Sequence, residues 1–107
     1  MLRVYVDVQV MQGEARALCE VIGRHEANLA SQLRRCAQSV ALNMAEGMAA
    51  RGGVRRNAYS TAMREARECL AAIDVAGRWG YATAEPGVVD RLDKIVATLM
   101  RLTMPRA

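Results

Sequence analysis

A chain of 107 residues, 52% hydrophobic and 24% charged, carries enough apolar content for one compact domain and too little length for two. Its uncharged stretch Cys36 to Ala45 is about half the roughly 20 residues a membrane-crossing helix needs, and Asp7 and Gln9 interrupt the apolar run of a secretory leader, so a cytoplasmic protein with no membrane partner is expected. The formal charge is +4, 14 of the 15 cations are arginine, and residues 31–67 alone hold seven arginines against Glu46 and Glu65, a basic zone suited to phosphate or to an acidic partner.

Four segments place apolar residues alternately four and three apart, which puts one stripe on one helical face. In the first, over about 3–25, the stripe is Val4, Val8, Met11, Ala15, Leu18 and Ile22. Val4, Val6, Val8 and Val10 also alternate as a strand would. The helical spacing nevertheless continues to Ile22, and a lone strand ahead of three helices would leave its backbone groups unpartnered. A short turn at His25–Asn28 follows, with Asn28 expected as the N-cap of the second helix.

That helix, over 29–50, carries Leu29, Leu33, Cys36 and Val40, then the polar Asn43 and Gly47, and the glycine pair Gly52–Gly53 is expected to stop it. The third, over 55–79, is looser: Tyr59, Ala62 or Met63, Ala66, Cys69 or Leu70, Ile73 and Ala76. Gly77 and Gly80 end it. Thr83 is the expected cap of the fourth helix, over 84–103, which has Pro86 in its first turn and the stripe Val88, Leu92, Ile95, Leu99 and Leu102. Helices of about 20 residues are about 30 Å long, and short turns force antiparallel neighbours. The expected fold is all-α, a single up-down-up-down four-helix bundle over residues 1–107.

Catalytic groups are scarce. The single histidine, His25, falls in a turn and supports no triad. The di-iron signature Glu-x-x-His is missing and no set of spaced zinc ligands stands out, so neither a metal nor another cofactor is expected. Glu65 and Glu68, among Arg64 and Arg67, read as surface ion-pair partners. Cys19, Cys36 and Cys69 have no C-x-x-C spacing and lie on or beside the stripes, where cysteine acts as a small hydrophobe. Met11, Met44 and Met63 read as gap-fillers of an alanine-rich core.

Two groups of residues stand out as sites. Gly52–Gly53 lead into a helix N-terminus with Arg55 and Arg56, where free N–H groups and two guanidinium groups could hold a phosphate, although no P-loop is present. Ser39, Asn43, Glu46 and Gly47 share one face of the second helix. An asparagine at a stripe position needs hydrogen bonds, and the expected arrangement is a buried register-setting network completed by a Glu46 contact to Arg64 or Arg67.

The run Ser31-Gln32-Leu33-Arg34-Arg35-Cys36-Ala37-Gln38-Ser39-Val40-Ala41-Leu42-Asn43-Met44-Ala45-Glu46-Gly47 resembles the signature S-Q-L-R-R-A-A-x-S-I-P-A-N-I-A-E-G of the four-helix bundle family related to the 23S rRNA intervening-sequence protein. Ala41 stands at the signature's proline, which removes a helix kink. Arg67-Glu68-Cys69-Leu70 resembles that family's A-R-G-S-L-x-E, Gly80-Tyr81 the end of its third helix, and Leu2-Arg3-Val4-Tyr5 its L-x-V-Y start. The resemblance implies a ring-like homo-oligomer, commonly a pentamer, without enzymatic activity. It also implies, through a distant branch, contact with nucleic acid and a reverse transcriptase.

The expected function is therefore a non-enzymatic, homo-oligomeric bundle that binds RNA or DNA through phosphate contacts from Arg34, Arg35, Arg51, Arg55 and Arg56, as an accessory to a nucleic-acid enzyme. Tyr5, Tyr59, Trp79 and Tyr81 are the residues that could stack on bases, with Tyr59 assigned to the core, so recognition of shape and charge is expected over single-strand reading. The alternative is a protein-interaction module whose arginines meet an acidic protein or a subunit interface. A third reading, an enzyme built between subunits from Asn43, Glu46 and an arginine, has the least support.

Overall fold

The computed structural model of the chain describes residues 2–105 and holds four helices: α1 (Arg3–Gly23), α2 (Ala27–Ala49), α3 (Gly52–Arg78) and α4 (Pro86–Thr103). No strand occurs among the described residues, and the body measures 44 × 20 × 20 Å. The valine alternation at the start is helical because its stripe is needed inside: Val4 and Val8 are buried while Val6 and Val10 face outward. No described helix is long and apolar enough to cross a membrane.

The four stripes meet in one core. Val8, Met11 and Ile22 of α1, Leu33, Cys36 and Val40 of α2, Ala62, Ala66 and Cys69 of α3, and Leu92, Ile95 and Leu99 of α4 belong to a single buried cluster. Leu18 and Leu29 are only partly covered. Leu102 is 41% exposed, because it sits in the last turn of α4, where the bundle ends.

Partners pair in reverse sequence order, so neighbouring helices are antiparallel. Gln12 Nε2 donates to the Ala37 carbonyl at 2.8 Å and Cys19 Sγ to that of Ala30 at 3.4 Å. Between α2 and α3, Cys36 meets Cys69 while Arg55 reaches Gly47. The first and last helices are joined by charge: Arg91 donates to Glu14 at 2.8 Å and to Asp7 at 3.1 Å, and Lys94 lies 3.2 Å from Asp7. Asp7 and Glu14 are mostly covered, so these carboxylates depend on Arg91 more than surface pairs depend on theirs.

The helix ends depart from the sequence expectation in three places. The cap of α2 is Glu26, not Asn28: its backbone is extended (φ −148°, ψ 103°) and its carboxylate accepts the Asn28 N–H at 2.9 Å. The break after α2 lies at Ala50 and Arg51, both extended, so the glycines belong to the first turn of α3, with Gly52 at φ +57°. Finally, α4 opens at Pro86 behind an extended Glu85, without a side-chain cap. Proline holds its predecessor out of the helical region, so Thr83 stands too early to cap.

Cys36 and Cys69 are buried with their sulfurs 3.1 Å apart. The bond between them lowers the Cys36 thiol below its ordinary 9.0, while the same bond, reinforced by burial, pushes the Cys69 thiol up. The folded chain thus keeps a proton on Cys69 that the unfolded chain releases near pH 9, and this term in the stability declines as pH rises above that value. In native protein a thiol reagent is expected to modify the half-buried Cys19 first and to reach Cys36 and Cys69 only on unfolding, which quantitative thiol titration with and without urea checks.

Candidate nucleic-acid interface

All seven arginines of residues 31–67 are solvent-exposed. The ion pairs among the described residues involve Arg16, Arg78, Arg91 and Lys94, and none of them uses Arg34, Arg35, Arg51, Arg55, Arg56, Arg64 or Arg67. Outside the basic zone four of the seven described cations are ion-paired and Arg3, Arg24 and Arg101 are not, whereas inside it none of the seven arginines is. Glu46, exposed on α2, and Glu65, half-buried on α3, are the zone's own carboxylates.

The five arginines chosen from sequence fall into two groups. Arg34 and Arg35 stand in the first half of α2, with Arg34 donating to Ser31 Oγ at 3.1 Å beside a groove between α1 and α2 lined by Gln12, Arg16, Cys19 and Gln38. Arg51, Arg55 and Arg56 stand at the turn into α3, about 24 Å along the axis from the first pair at 1.5 Å per residue. One phosphate cannot touch both groups, but a nucleic-acid strand, with a phosphate about every 3.4 Å, spans the distance with roughly seven of them.

At that turn the two neighbouring arginines have different surroundings. Arg55 Nε donates to the Gly47 carbonyl at 3.0 Å, closing an open end of α2 and tying it to α3, so this side chain is held by the fold. Arg51 and Arg56 have no such bond among the described residues and present their full charge. Arg51 is the N-cap residue of α3 and supplies no side-chain cap, so the first turn of α3 lacks a side-chain acceptor for its N–H groups.

The polar series on α2 is shorter than sequence spacing implies. Asn43 Nδ2 donates to the Ser39 carbonyl at 2.9 Å and to Ser39 Oγ at 3.1 Å, so its amide is satisfied one turn back within its own helix. Glu46 faces solvent, and no ion pair among the described residues joins it to Arg64 or Arg67. Arg64 instead donates to Thr61 Oγ1 at 3.3 Å. The buried interhelical network is absent because side chains at the edge of the stripe reach backbone and water first. Gly47 is the member of the series that does reach α3, by close packing against Tyr59.

Sequence reasoning missed an aromatic cluster at the opposite end of the bundle. His25, from the α1–α2 turn, stacks on Tyr81 with ring centroids 5.5 Å apart and planes 10° apart, and Trp79 continues the stack at 6.2 Å and 26°. The three residues come from turns that periodicity leaves blank, and their meeting depends on how α3 ends. Among the described residues no group of three His, Cys, Asp or Glu side chains could hold a metal.

Comparison with known proteins bears on most of the chain. The model of the family described as 23S rRNA-intervening sequence protein matches residues 6–103. The chain is also similar to a crystal structure from Bacteroides thetaiotaomicron, a protein with unknown function from the S23 ribosomal protein family, at 19% identity and a TM-score of 0.86, over 95% of this chain and 99% of that one. At that identity the likeness shows a shared fold. No curated protein matches.

Proposed function

Starting from the fact that the chain belongs to the 23S rRNA-intervening sequence protein family, we propose that it is a non-enzymatic helical bundle that binds RNA or DNA through arginine–phosphate contacts. The observation that carries this reading is the concentration of unpaired charge: four of the seven described cations outside residues 31–67 are paired with carboxylates, while all seven arginines within that zone are exposed and in no ion pair. Holding like charges together on a small domain is unfavourable unless a polyanion neutralises them. Arg34, Arg35, Arg51 and Arg56 are the contacts, and Arg55 positions the turn that carries two of them. The arrangement fixes charge along the bundle axis, so it favours recognition of the phosphate backbone.

Self-association multiplies this surface. Val6, Val10, Gly13, Ala17 and Val21 form a second stripe on α1, facing outward, with Val6 46% and Val10 44% exposed. We read this face as the contact between copies in a ring-like homo-oligomer, a pentamer in keeping with the resemblance. Such an assembly would serve as an accessory to a nucleic-acid enzyme such as a reverse transcriptase.

The test replaces Arg34, Arg35, Arg51 and Arg56 with glutamine together, leaving Arg55 in place so that the α2–α3 turn is kept. Binding of a labelled RNA stem-loop and a DNA duplex, followed by fluorescence anisotropy, is expected to weaken at least about tenfold, with the salt dependence reduced by about one unit of slope per lost contact. Unchanged affinity would assign the arginines to protein contacts. The mass of the purified protein by light scattering, against that of a Val10→Glu variant, tests the assembly: a multiple of 11.7 kDa that falls in the variant supports the α1 contact.

A further inference from the structure

The aromatic cluster borders a groove of about 370 Å³ between the start of α2 and the end of α3. Leu29 and Val75 form its apolar side, Trp79 and Tyr81 its aromatic wall, and Asn28 and Gln32 bring side-chain amides to its edge. Its volume lies within the range of small-molecule sites. Glu26 is the carboxylate on the rim, and it is engaged by the Asn28 N–H at 2.9 Å.

The wall is built rigidly. Gly80 takes φ +72°, and the Tyr81 N–H returns to the Ala76 carbonyl at 2.8 Å while the Gly80 N–H bonds that of Gly77 at 3.1 Å. This left-handed closure of α3 turns the chain so that Tyr81 folds back between His25 and Trp79. Trp79 is then 71% exposed, a large flat apolar surface that the fold positions and does not cover. On α2, Asn28, Gln32 and Arg35 recur at i, i+4 and i+7 and share one face, so an exposed and unpaired guanidinium stands one turn beyond the amides. A planar ring to stack on, amides to meet polar ring edges and a cation for a neighbouring phosphate are together the chemistry of one nucleotide.

We propose that this groove takes one unpaired nucleobase of single-stranded RNA or DNA, stacked on Trp79, with Asn28 and Gln32 at its edge and Arg35 on the adjoining phosphate. The proposal rests on the reading of the chain as a nucleic-acid binder and adds a second mode to it. A duplex hides its base faces and can use only the arginines, whereas a single-stranded segment or end can use both.

Trp79 is the chain's single tryptophan, so its emission reports on this site alone. The full-length protein is titrated with 12-nucleotide oligouridine and oligothymidine and with a 12-base-pair duplex, following tryptophan emission and the anisotropy of a label. Single strands are expected to quench Trp79, Trp79→Ala to weaken their binding by about tenfold, Trp79→Phe to restore most of it, and duplex affinity to stay within about twofold throughout. A preference for either single strand is resolved into sugar and base by oligodeoxyuridine, which shares its base with oligouridine and its sugar with oligothymidine. Duplex binding without quenching by either single strand, or single-strand affinity indifferent to Trp79→Ala, overturns the groove and leaves the arginine reading standing. Loss of all binding in the unsubstituted protein overturns both.

Discussion

Gly47→Val is expected to lower the stability of the bundle by about 3 kcal/mol, and Gly47→Ala by about 1 kcal/mol, although both residues form helix better than glycine does. Gly47 is buried, and a Cβ built on it would stand 2.5 Å from Tyr59 Cδ1 and nearer still to Cε1. Tyr59 is itself 4% exposed, and its ring can move away from Gly47 only toward the shallow groove it lines with Leu2, Met48 and Arg55, at the cost of its packing in the core. The intrinsic gain from replacing a glycine by alanine, about 1 kcal/mol in a helix interior and less in the last turn of α2, where Gly47 stands, is therefore outweighed by displacement of the ring or separation of α2 from α3. The same movement would lengthen the 3.0 Å bond from Arg55 to the Gly47 carbonyl. Thermal unfolding should show a midpoint about 10–20 °C lower for the valine variant. Combining Gly47→Ala with Tyr59→Leu should cost less than the two separate changes together, because the second removes the obstacle met by the first. An alanine variant more stable than the parent would show that α2 and α3 are not in close contact here.

Leu33→Ala is expected to cost about 4 kcal/mol, in the upper part of the usual range for leucine truncation. Leu33 is fully buried, and the cluster around it includes Ala15, Ala30, Ala37, Ala62, Ala66, Ala72 and Ala76. Short side chains bring helices close and leave few flexible groups able to fill a void, so the cavity persists. The alanine-rich composition also means that Leu33, Leu92, Ile95 and Leu99 supply a large part of the buried apolar volume. Urea denaturation should give a lower midpoint with an unchanged slope; a loss below about 1 kcal/mol would indicate a core that collapses readily around the missing side chain.

Much of the fold was legible because helical periodicity records burial directly. Val8, Met11, Leu33, Val40, Ile73, Leu92, Ile95 and Leu99 were all placed on stripes, and all are buried. The ends were less legible. A cap depends on backbone angles as well as on residue type, and Glu26 reaches the Asn28 N–H from an extended residue that sequence preference ranks below asparagine. The glycine pair marked the right place but the wrong side of the break, since the left-handed angle falls at Gly52 after the chain has already straightened at Ala50 and Arg51.

The candidate site was legible in charge and less so in contacts. Sequence counts locate the excess of arginine, but only coordinates separate Arg55, bonded to a helix carbonyl, from Arg51 and Arg56 beside it. Glu46 was expected to meet α3 because Asn43 lies on the stripe. An angular step of about 100° per residue instead sets Glu46 that far round the helix from the buried Gly47, so it faces solvent. His25, Trp79 and Tyr81 were beyond reach, because their meeting depends on two turns more than fifty residues apart and on the left-handed Gly80.

The central claim is that unpaired arginines on a four-helix bundle bind nucleic-acid phosphate, and its most direct test is the affinity of the unsubstituted protein for a labelled DNA duplex across a salt series. Neutralisation of about four phosphates, by Arg34, Arg35, Arg51 and Arg56, predicts a slope of log affinity against log salt near −3.6, equivalent to roughly 150-fold between 50 and 200 mM. A slope near zero, or no binding at low salt, would contradict the account and turn the basic zone into a surface for protein.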